Sequence, residues 1–229
     1  SPIEKIIPSI LTSEVVIPST LTSILNSLFR DCSSLKKVVL TEKVTSIDGY
    51  AFYGCDSLEQ IDIPTSVNSI GSNAFNGCIS LKFIFIPNSV NSIDSNAFGN
   101  CSSLAIISIP SSIRKESLHF DENTRVLVNN DDEDSFAEFL NELIDCDQLD
   151  KREVVQYCKE KADSGDSNAM LIYSCLFYKG KVVGIGKEEA LKYSKMSADK
   201  GNPIAMHLYA VKTPNKQDSV KYFQKAIGN

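Results

Sequence analysis

The chain is predicted to be an α+β protein made of two repeat modules, a β-solenoid followed by an α-helical hairpin-repeat array. Two observations carry this. The first half repeats every 23 residues in many columns at once, and the second half repeats at 36 residues with helical spacing. The 229 residues are 42% hydrophobic and 23% charged, enough apolar material for the cores of one or two domains.

The 23-residue period shows first in Cys32, Cys55, Cys78 and Cys101. The same step carries Leu35, Leu58, Leu81 and Leu104, then Val38, Ile61, Ile84 and Ile107, then Leu40, Ile63, Ile86 and Ile109. Pro18, Pro64, Pro87 and Pro110 form a further column, broken by Thr41. Val44, Val67 and Val90, then Ile24, Ile47, Ile70 and Ile93, continue each unit, which Phe29, Phe52, Phe75 and Phe98 close. In Leu58–Ile63 the apolar residues at 61 and 63 alternate with polar ones, as in a strand with one buried face. Pro64 lacks an N–H and is expected to end the strand. Val67, Ile70, Ala74 and Phe75 carry the return arm, so each turn buries one apolar layer against the next. A period of this length with an L-x-x-L-x-L core is the mark of leucine-rich repeats.

The unit Leu58–Ser80, LEQIDIPTSVNSIGSNAFNGCIS, resembles the BspA-like (treponemal) subclass of those repeats over about residues 10–115. It departs from the commoner subclass in placing its Cys just before the strand rather than soon after it. The resemblance implies a curved solenoid used to bind proteins or cell surfaces, of a kind found in host-associated bacteria and parasitic protists. The pattern fades after Ile113, and Leu118, Phe120, Val126 and Val128 are expected to form an irregular cap closing a first module at residue 128.

Residues 129–134 are polar and mostly acidic and read as a link. They lack the Gly and terminal Glu of a calcium loop, so a solvated lead-in to a helix is favoured over a cation site. Ser135 with Glu138 and Asp150 with Glu153 fit capping boxes, and 135–229 is read as the helical module. There Ala162, Gly165, Ala169 and Tyr173 recur 36 residues on as Ala198, Gly201, Ala205 and Tyr209. Ala169, Ile172, Tyr173 and Leu176 fall on one helical stripe, and Ala190, Ser194 and Ala198 set small residues where paired helices approach. The stretch Ala162–Gly201 resembles a Sel-one-like repeat, a relative of the tetratricopeptide repeats. A second unit, from about Gly201 to Ile227, is shortened between its helices, since Tyr222 follows Tyr193 by only 29 residues. Tyr193 and Tyr222 stand where that family usually has Trp. Residues 135–161 have no clear place in the pattern and read as a capping helical pair. The resemblance implies an adaptor rather than a catalyst.

The net charge of −6 divides evenly: 12 acidic and 9 basic residues to Val128, 17 and 14 after it. Neither half has the basic excess that nucleic acid or an anionic membrane requires. No run of 18 apolar residues occurs, so membrane insertion is not expected. Residues 1–5 lack the order of a signal peptide, although the chain opens on Ser. With seven cysteines, an odd number and no Cys-x-x-Cys pair, a reducing, cytoplasmic setting is expected, the cell surface being the alternative.

Candidate chemistry is thin. His119 and His207 lie in different modules and in no metal or nucleophile motif. The cysteine ladder would set neighbouring sulfurs on rungs about 4.8 Å apart, but free Cys is a habitual core residue, and core filling is expected here and for Cys146, Cys158 and Cys175. Gly180–Lys187 has the wrong order for a phosphate loop, being flanked by helices and followed by Glu188. No cofactor, metal or catalytic residue is therefore assigned. The candidate binding site is the outward strand face, where one column runs Glu14, Lys37, Gln60, Phe83, Ile106 and its neighbour Val16, Val39, Asp62, Phe85, Ser108. Phe83, Phe85 and Ile106 are expected to stand in water as an apolar centre, with Lys37, Val39, Gln60, Asp62 and Ser108 around them. The expected function is a non-enzymatic scaffold or adaptor with protein partners, a surface adhesin being the alternative and self-association through the apolar face a further expectation.

Overall fold

The computed structural model describes residues 13–129, 135–178 and 185–227. The chain forms two compact units, residues 1–135 and 136–229. The link residues 130–134 lie outside the described residues, as do residues 1–12 and most of the loop at Gly180.

The first unit is a parallel β-solenoid of about five turns. Each turn contributes a strand to the same face: β1 (Glu14–Val16), β3 (Lys37–Val39) and β5 (Gln60–Ile61) pair in one parallel sheet, and β7 (Phe83–Phe85) and β9 (Ile106–Pro110) in a second. Partners fall 23 residues apart, as in Val15 beside Val38 and Ile84 beside Ile107. A second parallel ladder on the return arm joins β2 (Ser23–Ile24), β4 (Ser46–Ile47), β6 (Ser69–Ile70) and β8 (Ser92–Ile93). The predicted inward columns form one continuous core.

Local chemistry explains each corner. After the strand, the Pro64 carbonyl accepts from the Val67 N–H at 3.1 Å, and Pro18, Pro87 and Pro110 do the same for Leu21, Val90 and Ile113. Thr41 fills the proline place and makes the same turn to Val44, but its hydroxyl is buried without a hydrogen-bond partner. Before each ladder cysteine the chain turns through the left-handed region, at Asp31, Gly54, Gly77 and Asn100 with φ of 59°, 67°, 78° and 56°. Glycine adopts that conformation without Cβ strain, and Asn and Asp tolerate it best among the others. Phe29, Phe52, Phe75 and Phe98 stack in the core with ring centroids 5.2–5.3 Å apart.

The end of the solenoid is more regular than the sequence indicated. Arg125–Asn129 forms a further parallel strand, β10, with Val126 beside Ile107. Phe120 extends the aromatic column, 6.4 Å from Phe98. The register step here is 19 residues instead of 23, which hid this last turn.

Among the described residues the second unit has six helices: α1 (Ser135–Asp145), α2 (Lys151–Asp163), α3 (Ser167–Tyr178), α4 (Lys187–Asp199), α5 (Pro203–Lys212) and α6 (Lys216–Ile227). From α2 onward each packs on the next, giving a linear array. Asp150 caps α2, its carboxylate accepting from the Arg152 N–H at 2.8 Å. In the other expected box the side chain of Ser135 is outside the description, and Glu138 is exposed in the first turn of α1. α3 is buried nearly all round, including Met170, Leu171 and Ser174, and not on the single stripe expected, because α2 and α4 enclose it.

The 36-residue period extends further back than expected. α2 and α4 correspond residue for residue, Lys151 to Lys187 and Asp163 to Asp199, so residues 151–161 belong to the repeat. The internal match is chemical as well. Tyr193 is buried, and its hydroxyl donates to Asp163 while accepting from the Lys159 ammonium at 3.0 Å. Tyr222 does the same with Asp199 and Lys195, the latter at 3.3 Å. Tyr173 packs edge-on against Tyr193 and Tyr209 against Tyr222, both at 4.9 Å. The shorter second unit keeps all these contacts: α5 is two residues shorter than α3, and three residues join it to α6 where eight join α3 to α4.

Candidate protein-interaction surface

The strand face of the solenoid presents two outward columns, set by the alternation of side chains along each strand. At the N-terminal end they are open. Val16 is 65% and Val39 37% exposed, and Glu14 and Asp62 are also exposed. Lys37 and Gln60 are half-buried between them. The register places Glu14 beside Lys37 and Lys37 beside Gln60, with Val16 beside Val39. Two apolar residues thus lie side by side with acidic, basic and amide groups next to them, on the hydrogen-bonded strands β1, β3 and β5.

The far end differs from expectation. Phe83 is only 5% exposed and Ile106 and Ser108 only 1%, while Phe85 is half-buried. The expected apolar centre is therefore not a free surface. Part of the reason is within the sheet: β10 continues it, setting Arg125 beside Ile106 and Leu127 beside Ser108, with Phe85 on the other side of Ser108. Leaving a large apolar side chain in water forgoes about 1.5–3 kcal/mol, so a cluster of three is packed away. Strand alternation names the face a residue lies on and not whether that face is covered. Of the eight predicted site residues, Lys37, Val39, Gln60 and Asp62 remain on the open part. Glu14 and Val16, read into the same columns but left out of the site, join them.

The other candidates are not brought together. His119 is exposed, with Nδ1 2.9 Å from the Asn96 side-chain oxygen, and His207 is exposed and edge-on to Phe223. All seven cysteines are free thiols. Cys32, Cys55, Cys78 and Cys101 are buried as core residues, as is Cys158, whereas Cys146 and Cys175 are only half-buried, against expectation. The Cys55, Cys78 and Cys101 thiols donate to the carbonyls of Phe29, Phe52 and Phe75 one turn back, at 3.0–3.2 Å. Burial pushes Cys55 and Cys101 up to about 12, and Cys78 well above its usual value. These sulfurs are structural and poorly nucleophilic.

Fold and surface define a parallel-ladder solenoid protein with an exposed strand face. The BspA type leucine rich repeat region is matched in six copies across residues 9–124, and the chain belongs to that family. Leucine-rich repeat proteins are generally protein-interaction or surface proteins, typically non-enzymatic scaffolds. Among solved structures, a leucine-rich repeat protein of Bacteroides ovatus is 32% identical, with a TM-score of 0.49, over 52% of this chain and 30% of its own length. The T. pallidum leucine rich repeat protein is 30% identical, with a TM-score of 0.45, over 52% of this chain and 56% of its own. A Sel1 repeat protein from Oxalobacter formigenes is 24% identical, with a TM-score of 0.34, over 42% of each chain. The chain thus spans less than two thirds of each of these relatives. No curated protein matches it.

Proposed function

We propose that this chain is a non-enzymatic adaptor that binds a protein partner on the open strand face built by Glu14, Val16, Lys37, Val39, Gln60 and Asp62. The observation that carries the reading is the pair Val16 and Val39, apolar neighbours exposed on a rigid ladder with charged and amide groups beside them. Such an apolar centre within a polar rim is the anatomy of a specific interface. Paired strands hold these groups in place before binding, which lowers the entropy cost of association.

The helical unit is read as a Sel1-like array forming a second adaptor surface. Support comes from its own repetition, the Tyr–Asp–Lys contacts recurring between successive helix pairs. The reading extends to a reducing compartment, which the odd number of cysteines and the lack of a Cys-x-x-Cys pair favour. The test compares proteins captured from the producing organism by wild type and by a Val16→Asp/Val39→Asp variant whose fold is verified by circular dichroism. The reading holds if specific partners are lost from a folded variant, and fails if both forms capture the same set.

A further inference from the structure

The helical unit contains a cavity of about 270 Å³ that opens to solvent. Its floor is apolar, made by Ile144 at the end of α1, Val154 and Val155 on α2, and Leu176 on α3. Small-molecule and cofactor sites usually enclose about 300–1,000 Å³. This one lies just below that range, so it suits one large apolar side chain or two small ones better than a nucleotide.

The rim decides what that side chain is attached to. Asp145 and Asp147 stand on it, both exposed. The third charged group, Lys151, turns its ammonium onto the Ile144 and Cys146 carbonyls at 2.8 and 2.6 Å, closing the C-terminal end of α1. The surrounding sequence is acidic to an unusual degree. Among the described residues 135–155, Glu138, Glu142, Asp145, Asp147, Asp150 and Glu153 stand against Lys151 and Arg152, a net charge of −4. The helix that ends at the rim and the turn after it are thus acidic on balance, and such a field raises the encounter rate of a basic partner and disfavours an acidic one.

We propose that this cavity docks a basic peptide segment of a partner protein, with one aliphatic or aromatic side chain seated on Ile144, Val154, Val155 and Leu176 and its arginine or lysine neighbours against Asp145 and Asp147. The site lies in the helical unit, so its failure and that of the strand-face reading are separable.

The experiment is fluorescence anisotropy with the full chain and a short dye-labelled peptide carrying a single leucine flanked by arginines. Two control peptides replace the leucine by serine or the arginines by glutamate. The leucine–arginine peptide is expected to bind saturably, to weaken as salt rises, and to lose on the order of tenfold or more in affinity in either control. Asp147→Lys, an exposed substitution that leaves the core intact, is expected to weaken it comparably. Val155→Phe, which fills the cavity, should do the same without altering the rim. The Val16→Asp/Val39→Asp variant should bind as wild type does. Absence of saturable binding overturns the proposal. So does equal binding of the serine peptide, which would mark the acidic stretch as a general cation attractor. Loss of binding in the Val16/Val39 variant would overturn it too, by moving the peptide to the solenoid.

Discussion

The Cys78 thiol donates a hydrogen bond to the Phe52 carbonyl at 3.2 Å, and that same carbonyl accepts the Cys55 N–H at 3.2 Å. One oxygen therefore closes the turn of its own repeat and ties in the next. Cys55 with Phe29 and Cys101 with Phe75 repeat the arrangement.

Because the carbonyl keeps its backbone donor, Cys78→Ala removes a thiol without orphaning an acceptor. The expected loss is modest, about 1–2 kcal/mol, from one hydrogen bond and a small cavity. Denaturant unfolding checks it.

The same thiols give the solenoid an alkaline limit. Burial holds Cys55 and Cys101 up at about 12 from an ordinary 9.0, so the protonated form is favoured in the folded chain. That contribution is fully present below 9.0 and is lost as pH rises through about 12. Thiol reagents near neutral pH should label Cys55, Cys78 and Cys101 only on unfolding. Rapid labelling of the native chain would contradict the assignment.

The stacked phenylalanines predict a graded series. Phe75 is fully buried between two rings, and Phe75→Ala should cost about 3–5 kcal/mol. Phe120 is half-buried and tilted by 28° against Phe98, so Phe120→Ala should cost clearly less. Equal losses would mean that the last turn is as tightly packed as the middle ones.

Thr41→Pro should stabilise the chain by about 0.4–1 kcal/mol. The backbone accepts proline at the equivalent place in the turns on either side, and the substitution restricts the unfolded chain while removing a buried hydroxyl that has no partner. A rise in melting temperature is the readout.

In the helical unit, Tyr193→Phe should cost about 1 kcal/mol by deleting one buried hydroxyl while keeping the ring contact with Tyr173. The pH profile follows from the same contacts. Hydrogen bonds from Tyr193 and Lys159 hold Asp163 below its ordinary 3.8, so its contribution is complete above 3.8 and is lost as pH falls through the lower folded value. Burial, and then the bond to Asp163, raise Tyr193 above 10.0, so its contribution is complete below 10.0 and is lost above it. Helical circular dichroism should therefore hold across the intervening range, and Asp163→Asn should flatten the acid limb.

Much of this architecture was legible because a stacked repeat writes its core as columns. The cysteine, phenylalanine and isoleucine columns mark the interior directly, each identity recurring where the next turn must bury it. What escaped was whatever broke the step. β10 pairs at an offset of 19 and so stands outside the period of 23, whereas α6, 29 residues after α4, stays legible through Tyr193 and Tyr222. The place of α2 in the repeat is carried by Tyr157, in step with Tyr193, and not by the small residues that mark the later helices. The candidate surface was half legible. Alternation put Phe83 and Ile106 on the outer face correctly, but their cover is a tertiary fact with no local signature.

The parallel ladders also bear on how such a protein changes over generations. A strand, a proline corner, a left-handed corner and a stacked ring all recur at 23 residues, so inserting or deleting a few residues inside a central turn throws every later layer out of alignment. Duplicating or excising a whole turn leaves each junction chemically unchanged. Relatives of this chain should therefore differ in solenoid length by whole multiples of that unit. Irregular lengths are then confined to the terminal turn, where nothing further along depends on the count.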